Sequence, residues 1–125
     1  MNQLRRHHIS FRHAFEGISN AVTTQPNFKI HILFSLLAVW AGIYFRIDVY
    51  EWLFLSLTIF IGLGFELINT AIEHVVDLVT KDYRLEAKFA KDTAAGAMFI
   101  YTLGAILVAT LIFLPKIIIF LRFRN

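Results

Sequence analysis

The chain has 125 residues, of which 58% are hydrophobic, and its formal net charge is +3. A mean hydropathy of +0.64 is too high for an ordinary soluble domain of this length, and the apolar residues are gathered into separate runs. No cysteine is present, which excludes disulfides, thiol catalysis and Cys-ligated zinc. The cations flank the apolar runs, which indicates a membrane protein and no nucleic-acid partner.

The first predicted element is an amphipathic helix over residues 5–24 that lies on the membrane surface. Apolar residues recur at helical spacing and form one face, and polar residues fill the other face. The apolar residues are Phe11, Ala14, Phe15, Ile18, Ala21 and Val22. The segment lacks the apolar core and cleavage site of a secretory signal, so it should remain in the mature protein. Pro26 should then open the next helix, with Thr24 or Gln25 as its cap.

Three apolar stretches predict transmembrane helices near residues 28–47, 49–80 and 90–120. The last contains a charge-free run, 93–114, which alone can cross roughly 30 Å of hydrocarbon. Cations are more numerous before the first span and between the second and third than on the other side, so the positive-inside rule assigns those regions to the cytoplasm. We therefore expect a single-domain, all-α, multi-pass protein of the cell inner (plasma) membrane.

Polar residues continue directly out of the second apolar run. At about 100° per residue, Glu66, Asn69, Glu73 and Asp77 fall on one stripe of the helix, with Thr70 at its edge. This stripe must face protein or water, because lipid offers no partner for such groups. An acid at membrane depth can serve as a general base or acid.

The stripe alone leaves several functions open. It could be a packing seam that fixes an oligomer, or it could line the ion path of a small oligomeric transporter or channel. The charged connection that follows includes Lys91 and Asp92 at the expected start of the third span, where a lysine can hold phosphate and an acid can cap the helix. Carboxylates for a metal and cations for phosphates are what a Mg-nucleotide requires, although no P-loop or GxGxxG motif is present. The five histidines are expected to be structural or interfacial, with His31 and His74 the least certain.

Two motifs in order carry a family resemblance. ELINTAIEHVVD at 66–77 and AKDTAAGA at 90–97 resemble the signature of the small prokaryotic diacylglycerol kinase family, which includes undecaprenol kinases. The likeness covers nearly the whole chain and includes NFKIH at 27–31. It implies a homotrimeric membrane lipid kinase, with active sites shared between subunits, that uses Mg²⁺ and ATP. The spelling NTAIEH is closer to the undecaprenol-kinase branch than to the diacylglycerol branch.

The resemblance also implies roles for individual residues. Glu66 matches the base that acts on the lipid hydroxyl, Asn69 supports that acid and the substrate, and Glu73 binds the metal that accompanies ATP. ATP contacts are implied for the residues that match the family's remaining nucleotide positions, namely Arg6, Asp82, Tyr83, Arg84, Lys91 and Asp92. Gln25 stands where the family usually has a further metal-binding Glu, and an amide oxygen there can still ligate Mg²⁺ without adding charge. This departure keeps a third alternative open, a catalytically weak scaffold.

Overall fold

The computed structural model describes the backbone of residues 3–124 and the side chains of residues 10–123. It contains four helices and no strand over that range, which confirms the all-α prediction. The helices are α1 (Gln3–Thr24), α2 (Pro26–Tyr44), α3 (Val49–Val79) and α4 (Leu85–Arg124). The last three are long and apolar enough to cross a membrane.

Local sequence signals determine where α2 and α3 begin. Pro26 occupies the first turn of α2, and Gln25 stands at its N-cap position without a capping bond from its side chain. Asp48 starts α3 with a capping box, in which its carboxylate accepts hydrogen bonds from the backbone N–H groups of Glu51 and Tyr50. These hydrogen bonds hold the pKa of the Asp48 carboxyl below its usual value, and the bond from the Glu51 backbone N–H has the largest effect. Because α2 ends at Tyr44, the predicted first span extended about one turn too far.

The connection before α4 is shorter than the sequence predicted. α4 begins at Leu85 and not near residue 90, so the charged segment from Glu86 onward is helical and only residues 80–84 form the loop. The prediction that Asp92 caps this helix is wrong, because Asp92 lies two turns inside α4, where it pairs with Lys88. Four-residue spacing places these two side chains together on the helix surface, and the charges therefore do not interrupt the helix.

Helices α2, α3 and α4 form an up-down-up arrangement with two ends. The proximal end holds Pro26, Val79 and Leu85, and the distal end holds Tyr44 and Val49 together with the Lys116 region of α4. A contact between the Lys91 and Asp77 side chains marks the proximal end, and a contact between Lys116 and Glu51 marks the distal end. The proximal end therefore carries the charged 80–84 loop and the polar end of the α3 stripe.

The helices bury little apolar surface against one another. One cluster of buried apolar side chains is formed by Ile47, Leu55 and Ile112 with a few half-buried neighbours, and the other buried apolar residues of the described chain are Ala21, Phe28, Ala94 and Met98. Most large apolar side chains of the spans are exposed, as expected where the surrounding solvent is lipid. On α1, Phe11 and Phe15 are exposed while Ala21 is buried, so the apolar face of this helix is largely free to meet a membrane surface.

Candidate functional site

The most deeply buried ionisable group in the described side chains is Glu66. Its exposed fraction is 3%, and it lies among buried neighbours on α3, Asn69 and Thr70. Among the described side chains, the one basic group within ion-pair range is His31 of α2, whose Nε2 lies 3.8 Å from Oε2 of Glu66. A carboxyl group in such an enclosed place, beside a single imidazole, is equipped to accept and release a proton.

Asn69 links this acid to the next one along the stripe. Its amide nitrogen donates a hydrogen bond to Oε1 of Glu73 at 3.2 Å. Its carbonyl oxygen Oδ1 is buried and has no hydrogen-bond partner. Because a buried acceptor without a donor costs free energy, this oxygen is available to accept a hydrogen bond from a group that enters the space beside it. The side chain is thus poised between Glu73 and the space beside Glu66.

A charged pocket of about 400 Å³ lies at the proximal end, between the end of α3, the 80–84 loop and the start of α4. Five of the predicted nucleotide contacts line this pocket, namely Asp82, Tyr83, Arg84, Lys91 and Asp92, and so does the acid predicted at the end of the stripe, Asp77. The Thr80 hydroxyl accepts a hydrogen bond from the Asp82 backbone N–H at 3.1 Å and thereby orders the loop. The sixth predicted nucleotide contact, Arg6, has a side chain outside the described residues.

The charges in this pocket are partly neutralised by one another. Lys91 donates to Asp77 at 2.6 Å across the α3–α4 interface, and Lys88 pairs with Asp92 within α4. Arg84 and Lys81 also line the pocket, and both are exposed. Lys81 was missed by the sequence analysis; its place beside Arg84 in one charged connection was the signal that could have indicated it. Together the cations can attract a polyanion, and Lys91 can exchange its carboxylate partner for a phosphate.

The polar stripe of α3 (Glu66, Asn69, Glu73 and Asp77) and the charged pocket adjoin one another but are separate features. Asp77 lines the pocket, Glu73 lies one turn further into the bundle, and Glu66 lies two more turns beyond it. At about 1.5 Å per residue, the distance along α3 from Asp77 to Glu66 is roughly 16 Å. A ligand held in the pocket must therefore extend along α3 to bring a reacting group to Glu66.

The residues present suit a magnesium ion that arrives with its ligand, and they do not form a resident metal site. The described residues contain no cluster of three or more His, Cys, Asp or Glu side chains that could hold a metal alone. Glu73 is half-buried and has one oxygen occupied by the Asn69 amide, which leaves the other available. Mg²⁺ is commonly bound by one or two carboxylates together with phosphate oxygens and waters, and Glu73 fits that pattern. Gln25, half-buried at the α1–α2 junction, has a side-chain amide that is not used for capping.

The fold and site define a small multi-pass membrane protein in which a charged pocket at one end leads to a row of buried polar groups. The chain belongs to the prokaryotic diacylglycerol kinase family, whose pattern matches residues 12–113. Members of this family are lipid kinases, and the chain is accordingly a phosphotransferase with an alcohol acceptor.

Individual relatives extend this likeness over most of the chain. The chain is 39% identical to the undecaprenol kinase of Bacillus subtilis (strain 168) over 93% of its own length and 94% of that protein. It is 38% identical to a diacylglycerol kinase of Synechocystis sp., over 88% of this chain but 63% of that longer protein. It is also 32% identical to a diacylglycerol kinase of Helicobacter pylori (strain J99), over 68% of this chain and 66% of the relative.

Proposed function

We propose that the chain transfers the γ-phosphate of Mg-ATP to the hydroxyl of undecaprenol at the cytoplasmic face of the inner membrane. The observation that carries the proposal is the burial of Glu66 beside Asn69, on the same face of α3 that leads to the charged pocket. Family membership gives the reaction class, and this geometry supports a division into an acceptor site in the bundle and a donor site at the proximal end. We further propose that the protein acts as a homotrimer.

The acceptor site supplies acid–base chemistry. Glu66 takes the proton of the lipid hydroxyl as the hydroxyl oxygen bonds to the γ-phosphorus, and the bond from that phosphorus to the bridging oxygen of ADP breaks. Before the transfer, Oδ1 of Asn69, which has no other partner among the described residues, can accept the hydrogen bond of the hydroxyl and hold it in place; the hydroxyl then turns its single proton to Glu66. Enclosure of the acid keeps water from competing as the acceptor. Phosphoryl transfer needs mainly positioning and charge stabilisation, which a short helical site can supply.

The donor site holds the nucleotide through the charges of the proximal pocket. Lys91 leaves Asp77 to contact a phosphate, and Arg84 and Lys81 add positive charge at the loop. Tyr83, whose side chain is largely exposed, offers an aromatic face to the base, while Asp82 and Asp92 accept hydrogen bonds from the nucleotide. Arg6 on α1 is proposed as a further nucleotide contact.

Glu73, with Gln25 as a possible additional oxygen ligand, would hold the magnesium ion that accompanies ATP. Bound there, the ion supplies charge neutralisation for the phosphates. Asn69 steadies the Glu73 carboxylate through its amide hydrogen bond at 3.2 Å and so keeps one carboxylate oxygen directed away for the ion. Because Gln25 adds no negative charge, we expect this chain to need a higher magnesium concentration than a variant with Gln25→Glu.

Undecaprenol is the preferred acceptor, and diacylglycerol is the second choice. The similarity to the undecaprenol kinase of Bacillus subtilis spans 93% of this chain and 94% of that protein, whereas the similarity to the two diacylglycerol kinases spans 88% and 68% of this chain. Both lipids are long apolar molecules with one hydroxyl, and an apolar groove distinguishes them poorly.

A direct comparison of acceptors tests the proposal. Purified protein in detergent is given Mg-ATP labelled in the γ-phosphate together with undecaprenol or diacylglycerol, and label in the lipid phase is measured. We expect faster labelling of undecaprenol. Faster labelling of diacylglycerol would overturn the acceptor assignment, and labelling of neither lipid would favour the transporter, channel or scaffold.

A further inference from the structure

A second pocket, of about 660 Å³, lies at the distal end, remote from the polar stripe of α3 and from the charged pocket. We call it the distal pocket. It is formed between the loop after α2 and the last turns of α4. Its walls are mainly apolar and are contributed by Tyr44, Phe45, Ile119, Phe120 and Phe123. Phe120 makes edge contacts with the rings of Tyr44 and Phe45, at centroid distances of 6.1 and 6.3 Å. The proposed kinase reaction has no use for this distal pocket.

Arg46 lies on the wall of the distal pocket in an unusual state. Its backbone φ is +51°, the only positive value at a non-glycine residue among the described residues. A residue other than glycine adopts this conformation at a cost in free energy. Its exposed guanidinium makes no hydrogen bond or ion pair with any described side chain. A charged group with five donors therefore lines an apolar, aromatic pocket without a partner among the side chains that the structure describes.

Lys116 is the second cation of the distal pocket, and its position in the sequence indicates how deep the pocket lies in the membrane. The stretch of α4 from residue 93 to residue 115 carries no charge, and Lys116 is the first charged residue after it. A run of that length spans roughly 30 Å of hydrocarbon, so Lys116 lies at the level of the lipid headgroups. Its ammonium donates to Oε1 of Glu51 at 2.7 Å, which keeps it beside the loop that carries Arg46.

The charges of the distal end favour an anionic occupant. Both acids here are already used: Asp48 caps α3, and Glu51 accepts from Lys116 and from the Asp48 backbone N–H. The cations left without a partner among the described side chains are Arg46 and Arg122. A second copy of the chain brought to this end would add like charges, whereas an anionic lipid would bring the missing negative charge.

We propose that the distal pocket binds one anionic phospholipid of the adjacent leaflet. Arg46 contacts the phosphate through charge-assisted hydrogen bonds, for which a planar guanidinium is well suited. The aromatic wall of Tyr44, Phe45 and Phe120 covers the glycerol and the upper part of the acyl chains. The site would tie the distal ends of α2 and α4 together through a lipid.

Spin-labelled lipids give a direct test. The protein is reconstituted in phosphatidylcholine, and electron spin resonance measures the motionally restricted fraction of spin-labelled phosphatidylglycerol and of spin-labelled phosphatidylcholine. We expect wild type to prefer phosphatidylglycerol. Arg46→Gly should lower that preference by about fivefold, the factor for one basic residue at an anionic lipid surface, and this variant should fold because glycine accepts the positive φ. Arg122→Gln removes a charge at the same end outside the distal pocket and should leave the preference unchanged.

Each other outcome overturns the proposal. An unchanged preference in Arg46→Gly, or an equal loss in Arg122→Gln, would show that general surface charge attracts the lipid. Displacement of the spin-labelled lipid by millimolar glycerol 3-phosphate would show a site for soluble phosphate esters. A change of oligomer mass in Arg46→Gly without a change in lipid preference would show an interface between copies.

Discussion

At the scale of single residues, the contact between His31 and Glu66 adds most to what the sequence indicated. The helical repeat of about 3.6 residues per turn placed Glu66, Asn69 and Glu73 on one stripe, because spacing along one helix fixes which side chains share a face. Spacing cannot show which residue of another helix faces that stripe. The sequence therefore predicts only a structural or interfacial role for His31, and its distance of 3.8 Å from Glu66 follows from the packing of α2 against α3.

We expect His31→Gln to slow lipid phosphorylation by about tenfold or more, since general acid–base groups and their partners contribute at this scale. The imidazole lies 3.8 Å from the Glu66 carboxylate, where it can position that group for the reaction, but it does not line the charged pocket. Steady-state kinetics should therefore show a lower kcat with the KM for ATP unchanged.

His74→Gln is the matched control for this variant, because His74 is an exposed histidine of α3 outside the charged pocket. It should retain wild-type kcat. An equal loss in both variants, or a change confined to the KM for ATP in His31→Gln, would contradict the positioning role.

At the scale of helices, a close approach between α3 and α4 holds the bundle together near its middle. Tyr101 of α4 crosses to α3, where its hydroxyl donates to the Thr58 carbonyl and its ring lies against Gly62. A side chain at position 62 would overlap the Tyr101 hydroxyl and ring. Gly62 therefore permits the contact that aligns the Glu66 side of α3 with α4.

Gly62→Ala should lower the free energy of unfolding in detergent by about 1–3 kcal/mol, the usual cost of overpacking. Gly104→Ala on α4 is the control, because a Cβ there meets nothing within 4 Å. Thermal or denaturant unfolding followed by circular dichroism measures both. Equal stability of the two variants would show that α3 and α4 do not approach in this way.

The helices themselves were largely predictable, but their ends were less so. Long apolar runs determine α2, α3 and α4, and Pro26 and Asp48 are recognisable start signals. The early start of α4 at Leu85 was missed because a mixed-charge segment resembles a loop until its charges pair at four-residue spacing, as Lys88 and Asp92 do. The additional first turn contributes Ala87 and Lys88 to the lining of the charged pocket.

At the scale of the whole molecule, the proposed topology can be tested because the chain has no cysteine. Glu86→Cys places a thiol at the proximal end and Tyr50→Cys places one at the distal end, both at exposed positions. In right-side-out vesicles, a membrane-impermeant maleimide should label the distal thiol at once and the proximal thiol only after the membrane is opened. The reverse pattern would put the charged pocket on the outer side, away from cytoplasmic ATP.

The role of Glu66 is the central claim, and Glu66→Gln tests it most directly. The amide keeps the shape of the side chain but cannot take the proton, so transfer to undecaprenol should fall by at least about a hundredfold while ATP binding persists. Glu86→Gln, an exposed acid in the first turn of α4, should keep full activity. The measurement is the rate of label transfer from γ-labelled Mg-ATP to lipid, together with equilibrium binding of ATP. A rate near wild type in Glu66→Gln would contradict the account.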